Sequence, residues 1–188
     1  MARSIIIVGV GHFVSLSLAA KLASIGWRIA LISRSLDKLT AVADDARRAG
    51  GKDVVVKCKL ADAGDPLQLW HALDWAKEEL GTVDCLCFNA ARVDMFEVAP
   101  SLTLELEGTR DTPILTTALL GSDNLMTDTP EGLDRDFRTS VIGTLGMGQW
   151  FANYCREHPV HAENGMGEPN NNTPFPLFLV TAGLLEQV

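Results

Sequence analysis

Basic residues are scarce: 16 lysines and arginines stand against 24 acidic residues, a formal charge of −8 over 188 residues. A nucleic-acid partner needs a basic face that displaces phosphate counterions, and this chain offers none. Apolar runs of membrane-spanning length are also missing, so no membrane partner is expected. The four cysteines, Cys58, Cys85, Cys87 and Cys155, show neither the paired spacing of a metal site nor a secreted disulfide framework. No metal is expected, and the thiols read as core residues in a reducing compartment, with Cys85 and Cys87 on one face of a strand. Arg3 to Ala20 imitates a secretory signal. Gly9, Gly11 and His12 interrupt it, and it runs on into a helical pattern that cleavage would halve. A cytoplasmic location is the expectation. No internal repeat is present.

What is there is ordinary in amount. Hydrophobic residues make up 47% and charged residues 21%, and the mean hydropathy of +0.13 allows a real core in a single domain over 1–188. Ser4 to Val8 is a β-branched run of the kind buried on both sheet faces. Phe13 to Ile25 has helical spacing and ends at Gly26. Arg28 to Ser33 is a second strand, Leu36 to Ala49 a second helix, and Asp53 to Cys58 a third strand. Asp65-Pro66 opens a third helix with the stripe Leu69, Trp70, Leu73, Ala76, Leu80. Val83 to Phe88 is a fourth strand.

This rhythm is that of right-handed βαβ crossovers. It predicts a doubly wound α/β parallel sheet in the order 3-2-1-4-5. The rhythm breaks at about 92–128, an irregular insertion carrying Gly108, Gly121, Pro100 and Pro113. A helix restarts at Thr129-Pro130-Glu131 and runs to about Glu157. After a loop at 158–176, Leu177 to Thr181 is a fifth strand, and the sheet ends there. One flank is then open; residues 92–128 or a second copy of the chain, as a homo-oligomer, are the candidates to cover it.

The turn after the first strand reads Gly9-Val10-Gly11-His12-Phe13-Val14-Ser15. It places backbone N–H groups at the positive end of a helix dipole, a ready site for a diphosphate. The second strand ends in Ser33-Arg34-Ser35, with no acid to bind a ribose 2′-hydroxyl. Arg34 instead suits a 2′-phosphate, so NADP(H) is the expected dinucleotide.

Four segments carry a resemblance to the short-chain dehydrogenase/reductase family. They are Ile6-Ile7-Val8-Gly9-Val10-Gly11, Leu31-Ile32-Ser33-Arg34-Ser35, Val83-Asp84 leading into Asn89-Ala90-Ala91, and Ser140-Val141-Ile142-Gly143. The resemblance spans most of the chain outside 92–128. It implies a Rossmann-like fold and dinucleotide contacts from Gly9, Gly11, His12, Phe13, Ser33, Arg34, Leu60, Asn89 and Ala90. It also implies a small carbonyl or hydroxyl compound as substrate.

The departures bear on activity. Phe13 and Ser15 stand at the family's second and third turn glycines, which serve the cofactor's approach and close helix–strand packing; a ring should cost the approach, and a hydroxyl should cost less. Lys59 replaces the acid that meets the adenine, and Ala91 replaces a glycine. The family's proton-donating Tyr and its Lys would lie beyond Val188. Ser140 occupies the position of its Asn, and Ala182-Gly183 the position of its Ser. Thr181 is the nearest hydroxyl there, which leaves Ser140 and Thr181 as the catalytic candidates. Tyr154, the one tyrosine, is followed by His158 rather than Lys. The expected function is an NAD(P)-binding protein derived from an NADP(H)-dependent oxidoreductase but lacking the Ser/Tyr/Lys set. The alternatives are a non-catalytic or non-redox binding module, or an incomplete chain of an active enzyme.

The remaining candidates read as background. Asp94 and Glu97 follow the Asn-Ala-Ala turn as surface acids, and His158 and His161 have no third metal ligand nearby. Trp27, Trp70, Trp75 and Trp150 are expected to pack helices on the sheet.

Overall fold

A computed structural model describes residues 2–11, 14–90, 129–158 and 176–181. Among the described residues five strands form one parallel sheet: β1 (Ser4–Val8), β2 (Arg28–Ser33), β3 (Val56–Leu60), β4 (Cys85–Phe88) and β5 (Leu177–Val180), in the order β3-β2-β1-β4-β5. Every pairing is parallel, with Val8 opposite both Ile32 and Phe88. This is the expected doubly wound order.

The alternation of side chains along each strand divides the core in two. On one face Ile6, Val8, Ile32, Leu86 and Phe88 pack against α3 (Pro66–Leu80) and a helix over 143–157. On the other face Ile5, Ile7, Ile29, Leu31, Cys85 and Cys87 pack against α1 (Val14–Ser24) and α2 (Leu36–Gly50). Both cysteines are buried on one face, as the spacing predicts. Ile5, Ile6 and Ile7 are each 1% exposed or less, and burying such a side chain is worth about 1.5–3 kcal/mol. The central strand therefore anchors both layers.

The helix starts follow the local sequence. The Ser35 hydroxyl accepts from the Lys38 N–H at the start of α2. The Asp65 carboxylate accepts from Leu67 and Gln68 ahead of Pro66, whose ring is preset for the first helical turn.

Three boundaries differ from the sequence expectation. The third strand lies at Val56–Leu60 rather than Asp53 to Cys58, because the chain first closes onto α2, where Val54 crowds Gly50. β3 is an edge strand, and Lys57 and Lys59 sit on it as exposed charges. The fourth strand begins at Cys85, after Asp84 has been tied to Ser4 and Val83 to Tyr154. The long helix is α4 (Pro130–Phe137), a π-helical stretch Arg138–Ile142, and α5 (Gly143–Glu157). In that stretch Thr139 is buried and its hydroxyl donates to the Arg135 carbonyl. Such back-bonding and widened turns deform a helix. The turn sets Gly143 so close to the sheet edge that a Cβ there would lie 2.5 Å from the Ala63 carbonyl oxygen.

Leu177, Leu179 and Val180 on β5 remain partly exposed. The insertion expected to cover that flank, 92–128, lies outside the described residues. Among the described residues, no helix is long and apolar enough to cross a membrane.

Candidate functional site

The carboxyl ends of β1, β2, β4 and β5 converge at one edge of the sheet, where ligands of doubly wound sheets bind. Gly9 leaves β1 with a φ of 88°, and its N–H donates to the Ile32 carbonyl at 2.9 Å. A Cβ on Gly9 would sit 2.2 Å from the Ala90 nitrogen. The first glycine is therefore required by the crossing of two turns, before any ligand is considered. Gly11 differs: among the described residues, its chain neighbours aside, no atom lies within 4 Å of where its Cβ would be.

Ser15, at the first turn of α1, holds the turn together. Its side chain is fully buried. The hydroxyl donates to the Gly9 carbonyl at 2.8 Å and accepts from the Asn89 side-chain amide at 2.7 Å. The Gly11 N–H leans on it at 3.3 Å. Asn89 also donates to the Gly9 carbonyl at 3.1 Å, and its own backbone N–H donates to the Val8 carbonyl at 2.7 Å. At the family's third glycine position Ser15 thus uses its hydroxyl for hydrogen bonds across the turn, to the Gly9 carbonyl and from the Asn89 amide, which also bond to each other. The hint in the sequence was a small polar residue at a glycine position, but its partner lies 74 residues away.

Thr181 joins this cluster from the end of β5. Its hydroxyl donates to Asn89 Oδ1, and its N–H donates to the Phe88 carbonyl at 2.9 Å. Ala90 follows, half-buried. On the neighbouring strands Ser33 faces Leu60 across the ladder, and the Ser33 carbonyl accepts from the Ala61 N–H. Leu60 is 52% exposed, and Arg34 is exposed beside it. Lys59 places its ammonium 5.5 Å from the Trp75 ring centroid, so that charge rests on an aromatic face. Gly9, Gly11, Ser33, Arg34, Leu60, Asn89 and Ala90 all lie on this one edge, whereas His12 and Phe13 are outside the described residues.

The two catalytic candidates stand on different elements. Thr181 is in the cluster, but Ser140 is exposed on the π-helical stretch, and among the described residues no hydrogen bond joins it to Thr181 or Asn89. Tyr154 is buried near the start of β4, where its hydroxyl accepts from the Val83 N–H at 2.8 Å. Burial pushes its phenol above the usual value. Its ring stacks on Trp150 and His158. A cleft of about 150 Å³ lined by Trp70, Asp74, Trp150 and Tyr154 lies between α3 and α5. Val83 precedes β4 and Asn89 follows it, so Tyr154 stands at the opposite end of the sheet from the glycine turn. Asp94, Glu97 and His161 are outside the described residues.

Residues 3–115 match the family model for short chain dehydrogenases. The chain is also similar to solved structures of that kind. A short-chain dehydrogenase/reductase from Serratia marcescens is 23% identical with a TM-score of 0.56, over 80% of this chain and 50% of that one. A short-chain type dehydrogenase/reductase from Mycobacterium ulcerans is 16% identical with a TM-score of 0.59, over 83% of this chain and 47% of that one. An NAD+-bound xylitol dehydrogenase is 18% identical with a TM-score of 0.58, over 83% of this chain and 49% of that one. At these identities the likeness establishes the fold, and the chain spans about half the length of the structures it matches.

Proposed function

The chain belongs to the short chain dehydrogenase family, and we propose that it binds a nicotinamide dinucleotide, NADP(H) in preference to NAD(H), across the carboxyl edge of its sheet. Gly11 and the start of α1 would hold the diphosphate, Arg34 the 2′-phosphate, and Leu60, Asn89 and Ala90 the adenosine and the ribose beyond it. When bound, such a group supplies a hydride. Two observations support this reading: among the described residues, its chain neighbours aside, nothing lies within 4 Å of where a Gly11 Cβ would be, and an exposed cation follows β2. The clearance at Gly11 is the observation that carries this reading.

It also sets the test. Gly11 has no positive φ and, among the described residues beyond its chain neighbours, no atom where a side chain would go, so Gly11→Val should fold as stably as the parent while filling the ligand space. Titration with NADPH and NADH, followed by calorimetry, should show binding to the parent and none to the variant. Equal affinities for the two proteins would place the nucleotide elsewhere.

A second reading, binding without carbonyl reduction by these 188 residues, is favoured by one observation. The one tyrosine is committed to Val83 at the far end of the sheet, and a general acid must lie within hydrogen-bond reach of its substrate. The four free thiols suit a reducing, cytoplasmic compartment.

A further inference from the structure

The geometry points to Asn89 as a relay between the glycine turn and the end of β5, with Thr181 a positioning residue that acts on the turn through it. In its functional consequence this rests on the dinucleotide reading above; as a coupling it does not. The side-chain orientations follow from what each atom can do. The Gly9 carbonyl can only accept, so the Asn89 NH₂ must face it, and that same NH₂ reaches Ser15 Oγ. Asn89 Oδ1 is then left to face Thr181 and can only accept from its hydroxyl. Ser15 Oγ receives two N–H groups, so its single proton goes to Gly9. The donors run one way, from Thr181 to Asn89 to Ser15 to the Gly9 carbonyl.

Chains of this kind polarise each link in turn. The Gly11 N–H is the loosest member, at 3.3 Å from Ser15. An anion taking that N–H relieves Ser15 of one donor and leaves its lone pair to Asn89 alone. Asn89 then holds Thr181 more firmly. Occupancy of the turn and order at the end of β5 should rise together, although Gly11 and Thr181 belong to opposite sides of Asn89.

Amide hydrogen exchange tests this without ligand. In the full chain Thr181→Val should weaken the Asn89 donation to Ser15, leave more of the Ser15 lone pair to the Gly11 N–H, and so slow exchange at the Gly11 amide by up to about fivefold, the worth of one net hydrogen bond. Thr181→Ser, which keeps the hydroxyl, should restore the parent rate. A merely structural role for the Thr181 side chain would leave Gly11 unmoved in both. Unchanged or faster exchange at Gly11 in Thr181→Val, or Thr181→Ser behaving like Val, overturns the relay. A second arm adds saturating NADPH. The amide at position 181 should slow by about threefold or more in the parent and should not slow in Thr181→Val, whose nucleotide affinity should fall by the same factor. Should the parent bind no NADPH at millimolar concentration, the dinucleotide reading fails and the ligand-free rates still decide the relay. NADPH binding without protection at Thr181 in the parent overturns the transmission.

Discussion

Gly9 and Ala90 meet backbone to backbone: a Cβ on Gly9 would stand 2.2 Å from the Ala90 nitrogen and 2.3 Å from its Cα. Nothing flexible lies there to yield. The φ of 88° at Gly9 adds a conformation that L-residues seldom adopt. Gly9→Ala should therefore cost about 3 kcal/mol or more, combining left-handed strain with a forced separation of two turns. Urea denaturation should show the loss, and a change under about 1 kcal/mol would mean the turns can part cheaply.

Tyr154→Phe separates a structural tyrosine from a catalytic one. Removing the hydroxyl leaves the Val83 N–H, at the buried start of β4, without its acceptor. The expected loss is about 1–3 kcal/mol of stability, with nucleotide affinity unchanged, because the glycine turn is at the other end of the strand. Abolition of NADPH oxidation by this change, with stability intact, would give Tyr154 a role that its geometry denies it.

The thiols of β4 should make the fold sensitive to alkali. Burial pushes Cys85 up to about 11, with Cys87 and Asp84 adding to the effect, and burial alone pushes Cys87 up to about 11. An unfolded thiol ionises near 9.0, so above that pH the unfolded chain has lost protons that the folded chain still holds. The stabilisation is complete below pH 9 and is lost as the pH rises toward 11. Denaturant midpoints taken from pH 8 to 11 should fall across this window, and Cys85→Ala with Cys87→Ala should flatten the fall. A parent curve that stays level would mean the thiols ionise without leaving the core.

How much of this was legible in sequence varied with the source of each feature. β1 and β2 lie at Ser4–Val8 and Arg28–Ser33 as read, because strands buried on both faces write their limits as unbroken apolar runs. β3 was displaced because an edge strand alternates exposed lysines with half-buried residues, and Val54-Val55 before it looked more like a strand than the strand itself. The π-helical stretch had no local signal, since Ser140 and Val141 face solvent and the constraint is the contact of Gly143 with Ala63. The glycine turn was recognisable, but the reason for Gly9 is Ala90 and the reason for Ser15 is Asn89. Both partners are more than 70 residues distant in the chain, beyond the reach of any local pattern.

Cofactor choice is the property that rests most on a single side chain. Arg34 follows β2 directly and is exposed, while Ser33 is held by the ladder and by the Ser35 N–H. No acid stands between Ser33 and Leu36 to repel a 2′-phosphate or to take a 2′-hydroxyl. A guanidinium hydrogen-bonded to phosphate is worth about 1.5–3 kcal/mol, and exposure to solvent puts this contact at the lower end. Arg34→Ala should then weaken NADPH binding about tenfold while leaving NADH nearly unaffected, and the NADPH loss should shrink as salt is raised. Calorimetric titrations of both nucleotides at low and high salt give the answer in one series. Equal losses for NADPH and NADH would show that Arg34 supports the loop rather than reading the phosphate. A loss for NADPH that ignores salt would point to a group less exposed than Arg34.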